Sequence, residues 1–298
     1  MRHLALLAAI GALAAVPAGA QRKTVKAFAV APDVALRIHN LVGVTRVTGW
    51  DRDSIVVTAV IPVGGGSFYG GGRDRFAKMG IEGQDPSLTG PGSDLDVRVP
   101  RGARVWIKSG SANVELTGLG GEVEVNSLTG SIRLDGAPRV ATLETIDGDL
   151  TITGAATVIR ARTGSGAVRI HGARADISIS TIQGPVVLES DELLSARIET
   201  VSGRVEVRTG MQPDGVLEIQ AHDGGVVLSV PSAIDARFDL STLKGVLAAK
   251  VTGQASIPAG SRSARFTVGK KAGAGRGAGV TVRTFSGSIQ VDSNLRPE

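Results

Sequence analysis

The sequence predicts an all-β fold: a single-stranded parallel β-helix, or β-solenoid, with about 18–21 residues per coil. Three observations predict it. Ser109, Ser127, Thr145, Thr163 and Thr181 stand eighteen residues apart, and Thr200 follows at nineteen, a fixed period of the kind repeat architectures show. Aliphatic residues recur two and four positions before each anchor and five and seven after it, as Ala141, Leu143, Leu150 and Ile152 do around Thr145. Alternation at a spacing of two places such residues on one face of a strand, and the three-and-four spacing of an amphipathic helix is missing. Third, glycine stands three residues after the anchor in most copies, as in Gly130, Gly148, Gly166 and Gly184. A tight corner needs a residue that accepts positive φ, which is the expected reason for this column.

The elements follow in order. Residues 1–20 read as a secretory signal peptide: Arg2 and His3, an apolar run from Leu4 to Val16, and Pro17-Ala18-Gly19-Ala20 before Gln21. The remainder, 21–298, is expected to be one β-solenoid domain. Asn40 is a loose first anchor, preceded by Leu36 and Ile38, with Thr45 interrupting the inward positions before Val47. Residues 64–93 and 269–279 break the period and are glycine-rich, so both are expected to be flexible loop insertions. Flanking strands are expected at Ser54–Ile61, Leu95–Val99 and Ala264–Val268. The strict repeats run from Ser109 to Thr200. Ala221, Thr242 and Thr284 continue the anchors, giving ten copies. A second corner follows the second inward pair, as at Gly118, Gly136, Gly154 and Gly172.

Composition narrows the function. The chain of 298 residues has no cysteine, which excludes disulfides, cysteine metal sites and a lipid-anchored cysteine terminus. No run after the signal peptide reaches eighteen apolar residues, so no transmembrane segment is expected in the mature chain. The net charge is +5, but the outward column Glu115, Arg133, Thr151, Arg169 mixes signs and lacks the basic stripe that nucleic acid requires.

Together these features resemble a bacterial putative-adhesin family, a domain of unknown function built from β-strand repeats. The resemblance rests on Ile38-His39-Asn40 with Gly43, on Val47-Thr48-Gly49-Trp50, and on Asp94 to Pro100 leading into the repeats. It runs on to Thr284-Phe285-Ser286-Gly287-Ser288-Ile289-Gln290-Val291. It implies a β-helix in the cell envelope, and some relatives occur beside envelope-stress regulators. It carries no functional residues with it.

Catalytic candidates are sparse. The Ser/Thr anchors have no recurring base beside them, as nucleophiles would need, and read as a hydroxyl ladder bonded to turn backbone. His39, His171 and His222 lie in different coils without metal-ligand spacing. Asp147 and Asp149, with Arg169 one coil further on, are the nearest approach to the acid clusters of polysaccharide-cleaving β-helices. The reading is therefore an exported, non-enzymatic envelope scaffold or adhesin-like binding protein, in the periplasm or at the cell surface, with no cofactor. Its partner is an envelope polymer or protein of unspecified identity. The alternatives are a polysaccharide-active enzyme on a β-helix and an accessory protein of an envelope-stress regulator. Candidate ligand contacts are Phe68 and Tyr69, exposed or capping aromatics in a chain only 3% aromatic, and Lys270, Lys271 and Arg276 in the second glycine-rich insertion.

Overall fold

A computed structural model describes residues 21–85, 92–173, 175–254, 257–258, 260–273 and 277–295. The expected signal peptide and Arg276 lie outside the described residues. The described residues are all-β, apart from one short helix. In chain order the strands are β1 (Arg22–Asn40), β2 (Gly43–Trp50), β3 (Ser54–Ile61), β4 (Ser67–Glu82), β5 (Ser93–Pro100), β6 (Arg104–Ser109), β7 (Asn113–Thr117) and β8 (Glu122–Asn126). Then come β9 (Ile132–Asp135), β10 (Val140–Thr145), β11 (Leu150–Thr153), β12 (Val158–Thr163), β13 (Val168–His171) and β14 (Asp176–Thr181). The chain continues with β15 (Val186–Thr200), β16 (Val205–Ala221), β17 (Val226–Pro231), β18 (Ala236–Thr242), β19 (Leu247–Lys250) and β20 (Ser263–Val268). Helix α1 (Lys270–Gly273) precedes β21 (Ala278–Thr284) and β22 (Ile289–Leu295).

Each repeat contributes two strands, and corresponding strands pair in parallel with their neighbours one repeat away. In the first ladder Val123 aligns with Val105 and Ala141, Ala141 with Ile159, and Ile159 with Ile177. In the second, Ile132 aligns with Leu150, Leu150 with Val168, and Val168 with Val186. Identical spacing along the chain thus becomes vertical stacking. The inward columns are buried almost throughout: Val125, Leu143, Ala161 and Ile198 have no accessible surface. Burial of this aliphatic interior is worth about 25 cal/mol per Å² of apolar surface, and it is the main stabilising term.

The anchor corner explains the hydroxyl and glycine columns together. Thr163 is 5% exposed. Its Oγ1 donates to the Gly148 carbonyl one repeat below at 3.1 Å and accepts from the Gly166 N–H at 3.1 Å. Ser127, Thr181, Thr200 and Thr242 accept from their own corner glycines in the same way, at 2.9–3.1 Å. The glycines are there for a different reason than expected. None of Gly130, Gly148, Gly166, Gly184 or Gly203 has positive φ. Instead, a Cβ on Gly148 would overlap the Gly130 carbonyl, one on Gly166 the Gly148 carbonyl, and so on up the stack. Close approach of stacked backbones forbids a side chain. In these repeats positive φ belongs to the second corner, at Gly118, Gly154 and Gly172, while Gly43 beside the Asn40 anchor has both positive φ and a close backbone neighbour, Ser93.

The stack does not follow chain order at its ends. The last copy, β21 with β22, inserts between β16–β17 and β18–β19. At the other end β1 and β2 lie between β6–β7 and an outermost layer made by β4 and β5. Residues 64–93, expected as a flexible loop, therefore supply β4, which pairs in parallel with β1. The other glycine-rich segment holds α1, and β21 begins within it. The three flanking strands appear as β3, β5 and β20. Two of them run antiparallel: β3 against β1 and β5, and β20 against β18 at the far edge. Thr45, which interrupts the apolar pattern, is fully buried and accepts from Asn40 Nδ2 at 3.2 Å.

Gly148→Ala is expected to destabilise the protein by about 2–4 kcal/mol, because the methyl group forces stacked backbone apart. Gly71→Ala, where the added Cβ meets nothing within 4 Å, should leave the unfolding free energy from urea titration within about 0.5 kcal/mol of the parent.

Candidate functional site

Six of the nine aromatic residues, Phe28, Trp50, Phe68, Tyr69, Phe76 and Trp106, belong to the first layers of the stack. That concentration singles out one end of the stack, and Phe76, Tyr69 and Trp106 mark one face of it. Strands β4, β1, β6 and β8 lie side by side there, and alternation turns every second residue outward. Register sets Lys78, Arg37, Trp106 and Glu124 in one outward row, with His39 beside Lys108 and Asn126 in the next.

The row is braced by its own contacts. The Arg37 guanidinium lies between two rings, 5.9 Å from the Phe76 centroid and 5.7 Å from that of Trp106. A cation over an aromatic face is attracted by the ring quadrupole. Trp106 Nε1 donates to Glu124 Oε1 at 2.9 Å, which fixes the indole. Beside the indole runs a shallow groove of about 190 Å³ whose polar edge carries Arg37, Arg104, Glu122 and Glu124. Phe76 is half exposed, and Lys78 and Lys108 are solvent-facing.

Tyr69 and His39 close the upper margin. Tyr69 crosses Gly80, where any Cβ would crowd its hydroxyl, and donates to His39 Nδ1 at 3.2 Å in the tautomer that leaves the proton on Nε2. Lys78 lies 5.7 Å from the Tyr69 centroid. The His39 ring also meets Trp106 edge-on, with centroids 5.5 Å apart. Burial lowers the His39 pKa below its ordinary 6.5, and the positive charges of Lys78, Lys108 and Arg37 lower it further. Burial raises that of Tyr69, with Glu82 adding to the effect. The imidazole is thus held neutral in a field of cations.

Of the residues expected to contact a ligand, Tyr69 adjoins this face. Phe68 turns back against the core, half-buried, with Lys26 Nζ 5.5 Å from its centroid. Lys270 is exposed in α1, at the opposite end of the stack beside β18 and β20, and Lys271 belongs to the same helix. The two groups are not brought together. Trp106 and Phe76 were missed. The available signal was an aromatic in an outward slot: Trp106 stands between inward Val105 and Ile107, in a row otherwise made of Glu124, Thr142 and Arg160.

The acids considered for catalysis are engaged in the corners. Asp147 accepts from Ser165 Oγ, and Asp149 accepts from the Ala167 N–H at 2.8 Å and pairs with Arg169 at 3.6 Å. Among the described residues no cluster of three or more His, Asp or Glu could hold a metal ion, and no helix is long and apolar enough to cross a membrane.

The depressed His39 pKa has a sign that can be measured. Below pH 6.5 the unfolded chain takes up a proton that the folded chain resists. This contribution to stability is therefore present at neutral pH and is lost as pH falls. His39→Phe should remove it: between about pH 7 and pH 5 the thermal midpoint of the variant should fall less than that of the parent. An equal fall would show that His39 does not titrate differently on folding.

Among curated proteins none gives a significant match. Three solved structures align over most of their length. A "putative adhesin" from Parabacteroides merdae has 9% identity, covers 91% of this chain and 96% of its own, and has a TM-score of 0.42. A "putative adhesin" from Bacteroides fragilis has 11% identity, the same coverages and a TM-score of 0.39. A "putative cell adhesion protein" from Clostridium sporogenes has 12% identity, covers 92% and 99%, and has a TM-score of 0.24. At these scores the fold rests on the ladders described above. The Toastrack DUF4097 family pattern matches residues 79–292, most of the chain and nearly all of the stacked repeats, and the chain belongs to that family.

Proposed function

We propose that the chain is a non-enzymatic, exported, adhesin-like binding protein, a single parallel β-solenoid domain from residue 21 to 298. Its ligand is an envelope polymer carrying sugar and anionic groups, held on the outward face of the first layers. One observation carries this reading: rings, rare elsewhere on the surface, gather with cations around Trp106. Phe76 and Trp106 offer rigid apolar faces on which a sugar ring can lie, at low entropic cost. Arg37, Arg104, Lys78 and Lys108 answer carboxylate or phosphate, and Glu122 and Glu124 accept from hydroxyls. The rigid β-sheet below holds these groups in place before the ligand arrives, which lowers the cost of binding.

The parallel in-register ladders and the buried columns support the solenoid. Export rests on the basic-apolar-small pattern of residues 1–20. The non-enzymatic reading is supported by Asp147 and Asp149, whose oxygens are occupied by corner backbone and neighbouring side chains.

Phe76→Ala with Trp106→Ala should weaken binding to isolated envelope polymer by at least about tenfold, since aromatic anchors commonly carry more than 1 kcal/mol each. The thermal midpoint should stay close to the parent value, because both side chains lie outside the core. Unchanged binding would remove the face from consideration. Product release from a polysaccharide panel, abolished by Asp147→Asn, would replace the binding protein with an enzyme.

A further inference from the structure

The residue after each anchor forms a column of its own. Leu128, Ile146, Ile182, Val201, Phe285 and Leu243 occupy it, and they are between 37% and 63% exposed. They account for half of the large apolar side chains exposed among the described residues. Backbone bonds hold them in line: Ile146 N donates to Leu128 O at 3.1 Å and Gly164 N to Ile146 O at 2.9 Å, and Ile182 N donates to Gly164 O at 3.1 Å. The result is an apolar edge along the corner, interrupted by Gly164 and His222, with a shallow groove where Ile182, Val201, His222 and Phe285 meet. Neither the core nor the aromatic face uses it. An exposed apolar strip of this length marks an interaction site.

We infer that this edge docks on the same edge of a second copy of the chain, antiparallel, about a two-fold axis between Gly164 and Ile182. The edge is complementary to itself in that arrangement. Gly164 then faces Ile182, and Gly110 faces Phe285, so a gap opposes a bulky side chain at each of these layers. Ile146 faces Val201, and Leu128 faces His222, whose ring is stacked on Phe285 with centroids 4.7 Å apart. The polar row alongside matches as well, with Thr129 opposite Asp223 and Ser202 opposite Asp147. On the other flank Glu144 meets Glu199. Each has an arginine of its own, Arg162 at 3.4 Å and Arg197 at 2.7 Å. Lys108 opposite Arg283 is a like-charge pair near the ends.

The contact is small. Eight layers about 4.8 Å apart make a strip roughly 35–40 Å long and, with side chains, about 10 Å wide, or on the order of 800 Å² buried in total. That lies at the low end for specific interfaces, so the dimer is dynamic, with a dissociation constant on the order of tens of micromolar. An isologous two-fold contact closes on itself and does not propagate into a filament.

The chain has no cysteine, so introduced thiols report the register directly. Ile146→Cys combined with Val201→Cys should link two copies efficiently under mild oxidation. Ile146→Cys alone should not, because its own symmetry mate lies three layers away, about 14 Å, beyond disulfide reach. Sedimentation velocity of the purified protein should show a monomer–dimer equilibrium. Ile182→Glu should abolish it without moving the thermal midpoint. A monomer at every concentration up to about ten times that dissociation constant would overturn the proposal, as would a single Ile146→Cys that links as well as the pair. A monomeric parent whose Ile182→Glu variant loses a heterologous envelope partner would also overturn it, and would assign the edge to that partner.

Discussion

Everything in this structure depends on how closely one layer of backbone can sit on the next at the anchor corner. The corner carbonyl of each layer points at the α-carbon of the glycine above, with no room for a methyl group between them. That proximity lets one buried hydroxyl serve two layers, donating to the carbonyl below and accepting from the amide of its own turn. An unpaired buried amide or carbonyl costs about 1–3 kcal/mol, so the hydroxyl is needed wherever the corner closes away from water. The eighteen-residue period follows. A repeat one residue longer or shorter would put the hydroxyl on the wrong face of its strand, unless the extra residue were taken up in a turn.

The same constraint shapes the ends. A stack of identical layers would expose its aliphatic interior and unpaired strand edges at both termini, an invitation to uncontrolled pairing. Here the first and last copies are each enclosed one layer in, and irregular elements close the two ends. At one end β4 and β5 do so, with Gln84 donating to Asn40 Oδ1 at 3.0 Å and accepting from the Leu41 N–H at 2.7 Å. Asn40 stands where other layers have Ser or Thr because its longer amide reaches Thr45 and the Ser93 carbonyl together. At the other end the antiparallel β20 closes the first ladder, and Phe266 stacks on Phe238 with centroids 4.8 Å apart. Closing the ends with aromatic and polar side chains leaves surplus rings near the first layers. That is where the candidate binding face lies.

The stacked middle was legible in the sequence because parallel in-register stacking turns chain periodicity directly into columns. Val125, Leu143 and Ala161 could be placed inside by counting from their anchors, and the hydroxyl column could be assigned to turn backbone. Three things were not legible. The glycine column looks the same whether it serves positive φ or close approach, and only the backbone angles separate the two. The order of the end layers depends on which edges pair, and Ala221, Thr242 and Thr284 appear in a sequence that the stack does not follow. Residues Ser67–Glu82 read as a glycine-rich loop, because β4 pairs on one side only and shows alternation only in its last residues, around Ala77 and Met79. The candidate site was half legible. Tyr69 stood out by rarity, while Trp106 was hidden inside a strand pattern whose inward members drew the attention.

The most direct test of the corner is to delete its hydroxyl and keep its shape. Thr163→Val leaves the Gly148 carbonyl and the Gly166 amide without their shared partner. It should lower the free energy of unfolding by about 1–3 kcal/mol in urea titration. Thr163→Ser, which retains the hydroxyl, should recover most of that loss. A valine variant as stable as the parent would contradict the account, because the stacked corner would then be held by apolar packing alone.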